Sequence, residues 1–188
     1  MALANGIVLA GMMGSGKTTI GERLATATGR RYVDNDELVE RETGHTSKEL
    51  LKTGGTPAVR TAEADALRAG LRESGNDVLG IAAGTVLDRS LRQALTDSTR
   101  TVVWLRATPE TLARRVLADD TGSEHRPWHA AGSMTADAWL RQESERRAPL
   151  YEEVADLTVD VDADDRDRPI EEIVDEIIRR LGLGREGR

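Results

Sequence analysis

Residues 11–18 constrain this chain more than any other stretch. They read Gly-Met-Met-Gly-Ser-Gly-Lys-Thr, which fits the pattern G-x-x-x-x-G-K-[ST]. The apolar run Ile7-Val8-Leu9-Ala10 precedes them, and a helical stretch from Thr18 to about Thr28 follows, closed by Gly29. A strand, a glycine-rich turn and a helix in that order aim successive backbone N–H groups at phosphate oxygens. The positive end of the helix adds to the attraction. In such a loop the Lys17 ammonium reaches the β- and γ-phosphates, and the Thr18 hydroxyl takes one Mg²⁺ position. Residues Gly14, Ser15, Gly16, Lys17, Thr18 and Thr19 are therefore the candidate nucleotide-binding residues.

The rest of the chain alternates strand and helix. Predicted strands are Arg31–Val33, Val78–Ala82, Thr101–Leu105 and Leu157–Val161. Between them lie helical stretches at about 36–43, a short turn at 47–51, a long helix at 57–73, and further helices at 87–95, 109–117 and 135–147. Thr108-Pro109-Glu110 has a well-formed helix start. The last helix carries a clear apolar stripe: Ile170, Ile173, Val174, Ile177, Ile178 and Leu181. Residues 118–133 are polar and aperiodic, and are expected to form a mobile loop; 162–168 read as a charged loop and 182–188 as a flexible tail. This order predicts an α/β fold: three layers, α/β/α, around a five-stranded parallel sheet, with 1–181 as a single domain. With aromatics at 3% and no Phe, the core must be aliphatic.

A nucleotide loop does not say what receives the phosphate. Phosphoryl transfer also needs an acid for the metal or the nucleophile, and cations for the moving charge. The third strand, ending in Gly80-Ile81-Ala82-Ala83-Gly84, offers no acid. The second does, in Val33-Asp34-Asn35-Asp36: Asp34 can hold Mg²⁺ while Asp36 faces the acceptor. The competing reading of Asp36 is an N-cap for the next helix.

Taken together, GMMGSGKTTIG (11–21), YVDNDELVERETG (32–44), the arginine of AVRTAEADAL (58–67), HRP (125–127) and RRAPLYEEVADLTVD (146–160) resemble the shikimate kinase family. The resemblance runs from about Ile7 to Leu181 and implies a phosphate-loop kinase of nucleoside-monophosphate-kinase-like fold with a mobile lid at about 118–133. It implies ATP and Mg²⁺ as cofactors and transfer of the γ-phosphoryl group to a hydroxyl of shikimate. It also implies residue roles. Lys17, Asp36 and Arg126 are the catalytic set, and Thr18 and Asp34 hold the metal. Arg115 and Pro169 lie on the adenine side, with Arg126 closing over the phosphates. Asp36, Ala83 and Gly84 line the acceptor site, where Arg60 and Arg147 grip its carboxylate in the bidentate manner open to arginine. Glu63, one turn beyond Arg60, can hold that arginine.

The chain also departs from the family pattern. Ala82-Ala83-Gly84 stands where the family has three glycines, Val59 where it commonly has Phe, and Trp128 where it has Leu after Arg-Pro. These changes fall on the acceptor side, so another hydroxylated ring acid or a cyclitol is an alternative acceptor. A nucleotide-binding module that transfers nothing is the third possibility. His125 and His129 lack a third partner for a zinc site. There is no Cys, and the net charge of −7 argues against a nucleic-acid partner. No apolar run is long enough to span a membrane, so a cytoplasmic small-molecule enzyme is expected.

Overall fold

Aliphatic runs that are apolar on both faces belong in the middle of a parallel sheet. The structure, a computed structural model, describes residues 6–73, 75–118, 134–163 and 166–186. In chain order the first half contains β1 (Ile7–Ala10), α1 (Lys17–Thr28), β2 (Tyr32–Asp34), α2 (Asn35–Thr43), α3 (Ser47–Arg72) and β3 (Val78–Gly80). A 3₁₀ turn (Thr85–Leu87), α4 (Arg89–Asp97), β4 (Thr101–Arg106) and α5 (Pro109–Ala118) follow. The chain continues with α6 (Ala136–Val154), β5 (Leu157–Asp160), β6 (Asp162–Ala163), β7 (Arg166–Asp167) and α7 (Ile170–Leu181).

The main sheet has five strands in the order β2-β3-β1-β4-β5, all parallel. Asp34 pairs with Gly80, and Gly80 with Leu9, so β1, β2 and β3 end side by side. The phosphate loop, Asp34 and the Ala82–Gly84 turn therefore leave one edge together. Ligands of open α/β sheets bind at this edge.

Alternate residues of each strand serve opposite layers. Val8, Leu79, Val102 and Trp104 face Leu38, Leu67, Leu91 and Leu140 of α2, α3, α4 and α6. Ile7, Leu9, Val103, Leu105 and Val159 face Leu24, Ile173 and Ile177 of α1 and α7. Phe is absent, and a stacked Trp104–Tyr151 pair, 5.5 Å between centroids, supplies the aromatic bulk.

Three elements differ from expectation. The turn predicted at 47–51 runs on as helix toward Gly55, whose non-helical φ 67° and ψ −169° separate it from the long helix expected from Pro57. It starts at a capping box: the Glu49 N–H donates to the Thr46 hydroxyl, and the Thr46 N–H to the Glu49 carboxylate. The helix predicted to end at Arg147 continues through Pro149 to Val154. Proline removes one intrahelical bond there, to the carbonyl of Glu145, an exposed residue within reach of water. Residues 162–168 contain a small antiparallel pair, β6 with β7, rather than plain loop. Beyond α7, the Glu186 N–H donates to the Ala27 carbonyl of α1 at 3.0 Å. No helix among the described residues is long and apolar enough to cross a membrane.

Candidate active site

The phosphate loop curls through Gly11, Gly14 and Gly16 at φ 152°, 79° and 87°, values that side chains rarely allow. Gly16 leaves the first turn of α1 without a side-chain cap, so its N–H groups stay available. Lys17 folds back over this loop and donates from Nζ to the carbonyls of Gly11 and Met12, at 3.0 Å each. Burial pushes its pKa down to about 8, against the opposing pull of Asp34. The Ser15 hydroxyl is buried and has no hydrogen-bond partner. In a loop of this pattern the backbone N–H groups and the lysine are the groups that meet a phosphate.

The next strand end supplies the acids. Asp34 caps α2, its Oδ1 accepting the Asp36 N–H at 3.1 Å. Its Oδ2 accepts from the Tyr32 hydroxyl at 2.9 Å and from the Thr18 hydroxyl at 3.3 Å. The capping role weighed for Asp36 thus belongs to Asp34. The Asp36 carboxylate is exposed and accepts from the Ser47 hydroxyl at 2.7 Å. Thr18 and Asp34 place a hydroxyl and a carboxylate oxygen together, the hard donor set that suits Mg²⁺, so the residues present fit that ion.

The turn at Ala83 and Gly84 gathers two arginines from separate helices. Arg60, from α3, lies so close to Gly84 that a methyl there would sit 2.5 Å from its Nη1. Glu63 accepts from Arg60 at 2.8 Å, as expected. The pair borders a cavity of about 280 Å³ with Gly84, Thr85, Leu87 and Asp88. From α6, Arg147 donates to the Ala83 carbonyl at 3.1 Å, and the Tyr151 hydroxyl donates to the same oxygen at 2.8 Å. The two arginines, far apart in sequence, meet consecutive residues of one turn. Arg147 is buried, and its Nε and Nη2 both bind Glu143.

On the other side of the loop a cavity of about 470 Å³ is lined by Gly16, Thr19, Arg115, Asp167 and Pro169. Arg115 bridges its walls, donating to the Gly14 carbonyl at 3.0 Å, the Val161 carbonyl at 3.2 Å and Asp167 at 2.9 Å. Arg126, His125, His129 and most of the expected lid lie outside the described residues.

Sequence reading missed Tyr32, Ser47, Glu143, Tyr151 and Asp167. Two of them carried a signal. Tyr32 and Asp34, at i and i+2 on a strand, share a face. Glu143 stands one helical turn before Arg147. Ser47 and Asp167 depend on how separate elements dock.

The sequence profile of the shikimate kinase family matches residues 13–182. The chain belongs to the shikimate kinase family. The shikimate kinase of Symbiobacterium thermophilum is 35% identical over 175 residues, covering 93% of this chain and 95% of that one. That of Bordetella pertussis is 37% identical over 177 residues, covering 93% of this chain and 77% of its own. Among solved structures, a shikimate kinase from Acinetobacter baumannii in complex with shikimate is similar with a TM-score of 0.79 at 28% identity, covering 96% of this chain and 93% of that one. Within this family frame the phosphate loop, Asp34 at the end of β2 and the Ala83–Gly84 turn met by Arg60 and Arg147 stand along one sheet edge.

Proposed function

We propose that this protein transfers the γ-phosphoryl group of ATP to a hydroxyl of shikimate, giving shikimate 3-phosphate and ADP. One observation carries the reading: Arg60 and Arg147 converge on Ala83 and Gly84, beside the strand end that bears Asp34 and Asp36. In this reading the acceptor is a ring with its carboxylate toward the two arginines and its hydroxyls toward the two aspartates.

The roles follow from position. Backbone N–H groups of 14–19 and the Lys17 ammonium hold the β- and γ-phosphates. Arg115, Thr19 and Pro169 border the base. Thr18 and Asp34 are the residues that would hold Mg²⁺, which when bound neutralises charge on the phosphates. Asp36 orients the acceptor hydroxyl and takes its proton as the new O–P bond forms. The bond from the γ-phosphorus to the bridging oxygen breaks, and the electron pair leaves with ADP. Lys17 stabilises the charge on the transferred group, a role that the family resemblance also gives to Arg126, which lies outside the described residues. The reading places the enzyme in the cytoplasm with a small-molecule substrate and no nucleic-acid partner.

The test is a coupled ADP-release assay with shikimate, quinate and cyclitols. Shikimate-dependent release above background ATPase is the expected result. Two observations favour the second reading, another ring acid or a neutral cyclitol: Arg60 and Arg147 each already carry a glutamate, and Ala82-Ala83 replaces glycines. A response to one of those acceptors and none to shikimate would select it. ATP binding with no phosphorylated product would point to a non-transferring module.

A further inference from the structure

Glu143 lies one turn before Arg147 on α6, and the two side chains are nearly dry: 12% and 8% exposed. Its Oε2 accepts from Nε of Arg147 at 2.8 Å and also from Nη2 of the same guanidinium. Arg146 holds Glu143 from the other side, binding Oε1 through Nε at 3.0 Å and Oε2 through Nη2 at 2.6 Å. Arg146 itself faces solvent, with 54% of its side chain exposed. Besides Glu143, Arg147 has the Ala83 carbonyl, the Tyr151 hydroxyl and the Trp139 ring, whose centroid is 5.7 Å from its Cζ.

This arrangement sets a condition on the acceptor. A carboxylate reaching Arg147 arrives beside a second, fixed negative charge with little water to screen it. Two carboxylates crowded on one guanidinium repel. Burial alone would raise the pKa of Glu143, but the bonds from Arg146 and Arg147 hold it below the usual carboxylate range, so protonation does not remove the conflict near neutral pH. The conflict has a geometric way out. Arg146 already binds both Glu143 oxygens, so Glu143 keeps a two-point partner if it lets Arg147 go.

We propose that Glu143 is a specificity-determining residue that competes with the acceptor for Arg147. It neutralises the arginine in the free enzyme and shifts onto Arg146 when an acceptor carboxylate enters. The proposal rests on the reading of Arg147 as the carboxylate grip. It makes acceptor binding an exchange of one carboxylate for another: a ligand with a weaker anionic group cannot displace Glu143, while a ring acid can.

The test compares wild type, Glu143→Gln and Arg146→Ala by steady-state kinetics with shikimate and with its uncharged methyl ester. Glu143→Gln keeps the side-chain volume and removes the charge. It should lower KM for shikimate on the order of tenfold, leave kcat within about twofold, and leave KM for ATP unchanged. With the ester the same variant should show no such gain. Arg146→Ala, at an exposed position, should raise KM for shikimate, because Glu143 loses its second partner and stays on Arg147. An unchanged or higher KM for shikimate in Glu143→Gln would overturn the proposal and make Glu143 an aligner of Arg147; so would an equal gain with the ester. An unaltered KM in Arg146→Ala overturns it independently if the glutamine variant folds poorly. Wild type that releases no ADP with shikimate would instead sink the functional reading, and this proposal with it.

Discussion

The two ends of the site hold their cations in opposite ways. On the donor side Lys17 rests on two backbone carbonyls, which are weak partners for a buried ammonium. On the acceptor side Arg60 and Arg147 each rest on a glutamate from their own helix. The Lys17 ammonium is therefore only partly compensated, by two carbonyls and the pull of Asp34, and a triphosphate is a better partner than either. The acceptor end is close to neutral, and a ligand has to offer something better than what is already bound. A P-loop binds a ligand common to many enzymes and needs strength. An acceptor pocket has to refuse related polyols, and refusal comes from groups left unpaired or repelled when the wrong ligand enters.

The strongest test removes the donor charge. Lys17→Ala should lower kcat by about a thousandfold or more, because the charge on the moving phosphoryl loses its nearest fixed cation. Asp36→Asn should cost a similar factor, since the amide cannot take a proton. Near-normal turnover in either variant, measured by ADP release, would break the assignment of roles. Neither change should weaken folding much, because Lys17 is anchored by two carbonyls and Asp36 by one serine hydroxyl.

The contrast also has a pH signature. Lys17, with its pKa pushed down to about 8 in the free enzyme, loses its proton as pH rises through that value. The protonated form is the one that binds phosphate. So kcat/KM for ATP should be flat below about pH 8 and fall about tenfold per pH unit above it. Bound phosphates favour the ammonium, so at saturating ATP the limb moves to higher pH. With ATP saturating, kcat/KM for shikimate should therefore hold to higher pH than kcat/KM for ATP. Coincident limbs in the two profiles would erase the distinction between the ends.

How much of this was visible in the chain depends on how local each feature is. The phosphate loop is one contiguous stretch, and its strand and helix flank it directly, so residues 7–28 were readable in full. The acid pair was readable too, because Asp34 ends β2 and Asp36 follows two residues later in the first turn of α2. Their division of labour was not: which of them caps α2 is decided by where β2 stops, one residue later than the apolar run suggests. The course of α6 was misjudged at Pro149 because a proline signals a helix end. That rule yields where Glu145, which bears the orphaned carbonyl, is exposed and the following Tyr151 and Val154 are buried in the core. The error hid the spacing that matters, since Arg147 and Tyr151 reach the Ala83 carbonyl from one helix face, a turn apart. The glutamates beside the two arginines were legible as i+3 and i−4 neighbours, but the burial that dries the Glu143–Arg147 pair is not something a single sequence shows.

A smaller expected effect tests the acceptor turn. Gly84 has an ordinary φ of −84°, so alanine meets no backbone strain there. The added methyl would instead press on the Arg60 guanidinium. That group is the far end of a flexible side chain and can move away without unfolding anything. Gly84→Ala should leave Tm and KM for ATP unchanged and raise KM for the acceptor by about tenfold, the scale of one displaced charged contact. A fall in Tm with unchanged KM would mean that the turn serves the fold and not the ligand.

The smallest effect lies at the seam between the two ends. Tyr32 donates to the Asp34 oxygen that also faces Thr18, the place argued above for Mg²⁺. Burial pushes the phenol pKa up, and the Asp34 charge pushes it further, so the hydroxyl remains a donor at any working pH. Tyr32→Phe keeps the ring that fills the space over Gly21 and Gly80 and deletes this bond together with the hydroxyl's bond with Thr18. Asp34 keeps the Asp36 N–H and the Thr18 hydroxyl, so the loss is partial. The Mg²⁺ concentration for half-maximal rate should rise by about threefold, near the net worth of one hydrogen bond to a charged group that retains others. KM for the acceptor should not change. A shift in the acceptor KM without one in Mg²⁺ dependence would place Tyr32 with the acceptor turn through Gly80, and would move the boundary between the two ends of the site by one strand.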